Sequence, residues 1–103
     1  MRPRKPQTPE TQLKNQAKDF LALYRVWTFP LTAGMGSYPG APDRMGIYKG
    51  KPLAIEFKSR KGVLTALQGE FKKKWEAEKG LYIECRSIED LAEGLGIKTM
   101  GLL

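Results

Sequence analysis

The chain has 103 residues, enough for one domain with a modest core. Its 18 Lys and Arg outnumber 11 Asp and Glu, and the resulting net charge of +7 favours a polyanionic partner. A single cysteine, Cys85, and the lack of histidine exclude an internal disulfide, a Cys/His zinc site and histidine acid–base chemistry. Any bound metal must then be held by carboxylates and backbone oxygens, which select Mg²⁺ or Mn²⁺.

Residues 1–7 read as a flexible basic arm, with Pro3 and Pro6 opposing regular structure. Thr8-Pro9-Glu10 predicts a helix start, and Leu13, Ala17, Phe20, Leu21 and Tyr24 continue it at helical spacing. Glu10 lies at the head of that inward stripe. Arg25 to Phe29 alternates and is β-branched and aromatic, which predicts a strand. Ala33 to Pro42 is a Gly- and Pro-rich loop, open to ordering by a ligand. Met45–Tyr48, Lys49-Gly50-Lys51 and Pro52–Lys58 read as strand, turn, strand. Leu53, Ile55 and Phe57 share one face of the second strand; Ala54, Glu56 and Lys58 share the other.

Ser59 to Val63 is a short basic connection. Thr65 then caps a helix, with Gln68 three residues later in a capping-box pattern and on the face of Phe71 and Trp75. Gly80 is expected to end it. Leu81–Cys85 reads as a strand in which Cys85 is a small core residue. Ser87 caps a last helix, Ile88 to about Gly94, with Ile88, Leu91 and Leu95 inward. An apolar tail, 97–103, closes the chain. No run reaches the roughly 18 apolar residues of a membrane span. The basic N-terminus leads into no apolar stretch, so no secretory signal is expected and a soluble, reducing compartment follows. The order of elements predicts an α/β domain with a mixed sheet and helices packed against it.

Phosphodiester cleavage needs a divalent ion to polarise the phosphoryl oxygen, hard oxygen ligands to hold it, and a nearby cation. Asp43 opens the first hairpin strand and Glu56 lies in the second. Paired strands lie about 5 Å apart, so the two carboxylates can converge on one ion with Lys58 projecting beside them. Taken singly, each residue has a plainer role. Asp43 can be a turn residue, Glu56 and Lys58 a solvated ion pair, Gln68 a capping residue, and Glu10 an acid favoured by the helix dipole. Arg60 and Lys61 directly follow the catalytic strand and are the better phosphate contacts. Of Lys72, Lys73 and Lys74, the helix turns only part toward DNA, and Lys72 is the candidate. Arg2, Arg4 and Lys5 serve equally as a DNA-contacting arm or a solubilising tail.

Pro42-Asp43, twelve residues, then Glu56-Phe57-Lys58 resembles the PD-(D/E)xK nuclease motif. Gly40-Ala41-Pro42-Asp43, Gly46, Leu53 to Lys58, Lys61-Gly62, Leu64 to Gln68, Gly80 to Cys85 and Ser87 to Asp90 resemble the VRR-NUC family, over roughly residues 8–95. The opening helix, led by Glu10 and Gln12, is similar too. The resemblance implies a nuclease domain over 8–96 with a restriction-endonuclease-like mixed sheet flanked by helices, acting with Mg²⁺ or Mn²⁺. It implies Asp43, Glu56 and the Phe57 carbonyl as metal ligands, Glu10 completing the site, Lys58 as the catalytic lysine, and Gln68, matching the glutamine of the family's following helix, as a further catalytic residue. Ala66 departs from the pattern, since many members have proline there, and Gly69 weakens the same helix start. Short stand-alone members are phage or bacterial proteins. That implies a cytoplasmic homodimer cutting branched DNA such as four-way junctions, with the apolar tail and the helices as candidate interfaces. A non-catalytic DNA-binding module on the same scaffold is the rival reading, and flap or RNA substrates are alternatives.

Overall fold

The computed structural model describes residues 8–32 and 38–99. The basic arm, residues 33–37 of the Gly-rich loop and the last four residues of the tail lie outside them. Seven elements follow in order: α1 (Pro9–Leu23), β1 (Trp27–Pro30), β2 (Arg44–Tyr48), β3 (Lys51–Phe57), α2 (Ala66–Ala77), β4 (Leu81–Cys85) and α3 (Ile88–Leu95). The expected α/β class and mixed sheet are present. β1, β2 and β3 are antiparallel neighbours, and β4 joins β3 in parallel through the α2 crossover. No described helix is long and apolar enough to cross a membrane.

Local chemistry explains most boundaries. Thr8 caps α1 by accepting from the Thr11 N–H, and Thr65 with Gln68 completes the capping box of α2. The two-residue hairpin turn places Lys49 and Gly50 at φ 50° and 80°, the doubly left-handed geometry that suits a right-twisted hairpin.

β2 begins at Arg44, the hairpin turn is Lys49-Gly50 alone with Lys51 already in β3, and Lys58 falls just past the end of that strand. Two further boundaries differ from expectation. The first strand begins at Trp27, not Arg25. Arg25 sits at φ 57° and its N–H bonds to Ala22, while Val26 N–H reaches back to Leu21. Both residues therefore close α1 in a Schellman motif built without glycine. The second departure concerns Gly80. The left-handed residue after α2 is Lys79, at φ 69°. Glycine is required next to it for space, because a Cβ at Gly80 would stand 2.5 Å from the Trp75 indole.

The sheet divides three layers. Leu53, Ile55, Phe57, Ile83 and Cys85 face α1 and α3, where they meet Ala17, Phe20, Leu21, Leu91 and Leu95 in the core. The opposite face carries rows of residues set by the register. One row holds Trp27, Ile47 and Pro52; the next holds Phe29, Met45, Ala54 and Tyr82. Continuing the same register, Asp43, Glu56 and Glu84 form a third. Helix α2 covers only the β4 side of this face, through Phe71 against Tyr82 and Trp75 Nε1 donating to the Leu81 carbonyl. Among the described residues, no helix covers the β1–β2 side of that face.

Candidate active site

Asp43 and Glu56 meet where the β2–β3 pairing ends. The register sets Pro42 opposite Phe57. Proline has no N–H to give the Phe57 carbonyl, so the ladder stops there. The Phe57 N–H donates instead to Asp43 Oδ2 at 2.9 Å. In a strand the N–H and C=O of one residue leave by the same edge. The Phe57 carbonyl therefore points to the side where Asp43 lies. The Pro-Asp step thus does two things: it frees a carbonyl, and it holds a carboxylate beside it.

Glu56 is only 4% exposed, the one charged residue in the buried run Leu53–Phe57 of β3. It does not belong to a solvated strand face. The register sets it beside Asp43, and burial together with the Asp43 charge raises its pKa from the ordinary carboxylate range to about 7. Lys58 works in the opposite direction, with Nζ 3.6 Å from Glu56 Oε2 and its side chain only 16% exposed. The Lys58 backbone is fixed by its N–H donating to the Cys85 carbonyl, which anchors the residue just past the strand.

The loop before Asp43 is fitted to α2. Gly40, at φ 77°, lies so close to that helix that a Cβ would stand 2.2 Å from the Leu67 carbonyl oxygen. Tyr38 meets Phe71 edge-on. The start of α2 thereby sets the path of the chain into Asp43.

The other residues singled out from sequence are distributed around this pair. Glu10 sits on the exposed first turn of α1, paired with Lys14 at 3.5 Å, and Lys14 stands 3.9 Å from Asp43 Oδ1. A lysine thus lies between Glu10 and the carboxylate pair, and no third acid, histidine or cysteine gathers with them among the described residues. Gln68 half-buries on α2 and spends its Oε1 on the Thr65 N–H. Arg60 and Lys61 are exposed in the turn after β3. Lys72 is drawn inward, 2.7 Å from Glu84 and over the Tyr82 ring.

Sequence reasoning passed over Lys14, Tyr82, Glu84 and Arg86. The last three alternate along and just beyond β4, the same period-two signal that exposed Glu56 and Lys58. Glu84 takes Lys72 and Arg86, which hold its carboxyl below the usual carboxylate range. Arg86 also donates to the Gly62 carbonyl at 2.6 Å, tying the basic turn to the end of β4. Tyr82 has a buried hydroxyl with no hydrogen-bond partner among the described residues, and its pKa is raised by burial and then by Glu56, Glu84 and Asp43. Cys85 is a core residue as expected, with burial pushing its thiol up to about 12, so no thiolate nucleophile is present at neutral pH.

The donor set fits a hard divalent cation. Two carboxylates neighbour each other at the strand end, Glu56 buried and Asp43 partly exposed, a backbone carbonyl points to the same side, and a buried hydroxyl without a partner among the described residues lies in their field. Comparison with family models, with curated proteins and with solved structures returns no match.

Proposed function

We propose that this protein is a Mg²⁺- or Mn²⁺-dependent nuclease that hydrolyses phosphodiester bonds in DNA. The observation that carries the reading is the buried Glu56 carboxyl held against Asp43 with Lys58 at 3.6 Å. A fold with no catalytic use for Glu56 would have little reason to keep an acid there, because burial penalises its charge. The resemblance to VRR-NUC nucleases, and through them to a restriction-endonuclease-like fold, agrees with this arrangement.

Asp43, Glu56 and the Phe57 carbonyl would hold the cation, which when bound polarises the phosphoryl oxygen and acidifies water. Glu56, paired with Lys58, would offer its carboxylate to the ion. Lys58 stands beside the reacting phosphate and stabilises the negative charge that develops on it. Its rigid backbone bond and low exposure hold the ammonium group in place before substrate arrives. Arg60 and Lys61 lie on the turn that follows, where flanking phosphates would pass. Glu10 enters the site only if Lys14 is displaced from between it and Asp43. A homodimer would set two such sites against the strands of a branched substrate, in keeping with the family resemblance.

Incubating the protein with four-way junction, flap, duplex and single-stranded DNA, with Mg²⁺, with Mn²⁺ or with EDTA, tests the reading. Cleavage of at least one substrate with metal and none with EDTA is the expected result. Binding without cleavage in every metal would support the rival, a DNA-binding module without catalysis.

A further inference from the structure

Beside the carboxylate row, the same sheet face carries an open strip of large apolar side chains. Trp27 is 64% exposed, Ile47 54% and Phe29 39%. The two rings adjoin, with centroids 5.3 Å apart. Among the described residues α2 packs on the β4 side of this face and no helix crosses the strip. Alternate residues along a strand lie about 7 Å apart. The row of Phe29 and Met45 therefore adjoins that of Asp43 and Glu56, and the row of Trp27 and Ile47 comes next.

A phosphodiester held at Asp43 and Glu56 can lay its flanking nucleosides over this face. In one direction they meet Lys58 and the basic Ser59–Gly62 turn. In the other they meet Phe29 and then Trp27. A double helix presents phosphates and base edges to such a surface, whereas exposed aromatic rings are matched by the faces of unpaired bases. The geometry points to Phe29 and Trp27 as a stacking platform for unpaired nucleotides on one side of the scissile phosphate. The preferred substrate class is then nucleic acid with a single-stranded segment next to the cut. This rests on the nuclease reading and names its substrate.

A second copy of the chain is the competing occupant. Seated across Trp27, Ile47 and Phe29, it would crowd the carboxylate row that adjoins Phe29. The net charge of +7 likewise suits a nucleic acid better than a copy of equal sign.

The test is binding by the intact chain in EDTA, where nothing is cut, read by tryptophan fluorescence and by competition. Single-stranded DNA should quench the emission, and quenching should be largely lost in Trp27→Phe relative to Trp75→Phe. Trp27→Ala should weaken single-strand binding about tenfold or more and leave duplex binding within twofold. Phe29→Leu should reproduce the selective loss more mildly. Equal loss on both substrates, or no loss on either, would overturn the platform. So would a light-scattering dimer that Trp27→Ala converts to monomer, which would give the strip to a second copy. Because no step needs cleavage, these outcomes are separate from the failure of the nuclease reading, which the metal-dependent assay decides.

Discussion

Glu56 sits where a carboxylate is costly. It is desolvated and faces Asp43, so the folded chain holds its proton more tightly than the unfolded chain does. A raised carboxyl pKa contributes stability while the group is protonated. That contribution fades as pH rises from the ordinary value near 4.5 through about 7. Glu56→Gln keeps the shape and removes the charge. In EDTA at pH 8 the variant should therefore be more stable than the native chain by about 1–2 kcal/mol, with the gain shrinking toward pH 5. Thermal melts at the two pH values check this. Equal melting temperatures of native and variant at pH 8 would mean that Glu56 is not strained by its neighbours. The same variant should lose cleavage, since a neutral amide holds a divalent cation poorly.

The elements act on the site mainly through their ends. Strand β3 supplies Glu56 and Lys58, but the geometry at Asp43 depends on how the loop before it seats against α2. Gly40 is the contact. Alanine there would need a left-handed backbone at φ 77° and a Cβ that overlaps the Leu67 carbonyl. The backbone alone costs roughly 1–2 kcal/mol. Gly40→Ala should lower the melting temperature and also weaken Mn²⁺ binding measured by calorimetry, because the Asp43 carboxylate is displaced. A variant that melts early yet binds Mn²⁺ as the native chain does would uncouple the loop from the site. Gly50, by contrast, has open space around it, and a change there should leave metal binding untouched.

At the scale of the molecule, what the sequence discloses follows from local rules. The period-two pattern of β3 separates Leu53, Ile55 and Phe57 from Glu56 and Lys58, and Thr65 with Gln68 announces its capping box. The helix ends are less readable, because Arg25 and Lys79 take left-handed positions where glycine is the usual signal. The depth of Glu56 is not local either, since it depends on what packs over both faces of the sheet. The same holds for Lys14, brought to Asp43 from a helix in another layer, and for Trp27, Phe29 and Ile47, which would be core residues had α2 crossed further over the sheet. In the proposed chemistry, phosphodiester cleavage takes place at Asp43, Glu56 and Lys58. Single-turnover cleavage of the preferred DNA by native protein and by Lys58→Ala, with DNA binding measured in parallel, tests it most directly. The expected rate is about 10²–10³-fold lower for Lys58→Ala with binding nearly unchanged. Native-like cleavage by that variant in the presence of Mg²⁺ would contradict it.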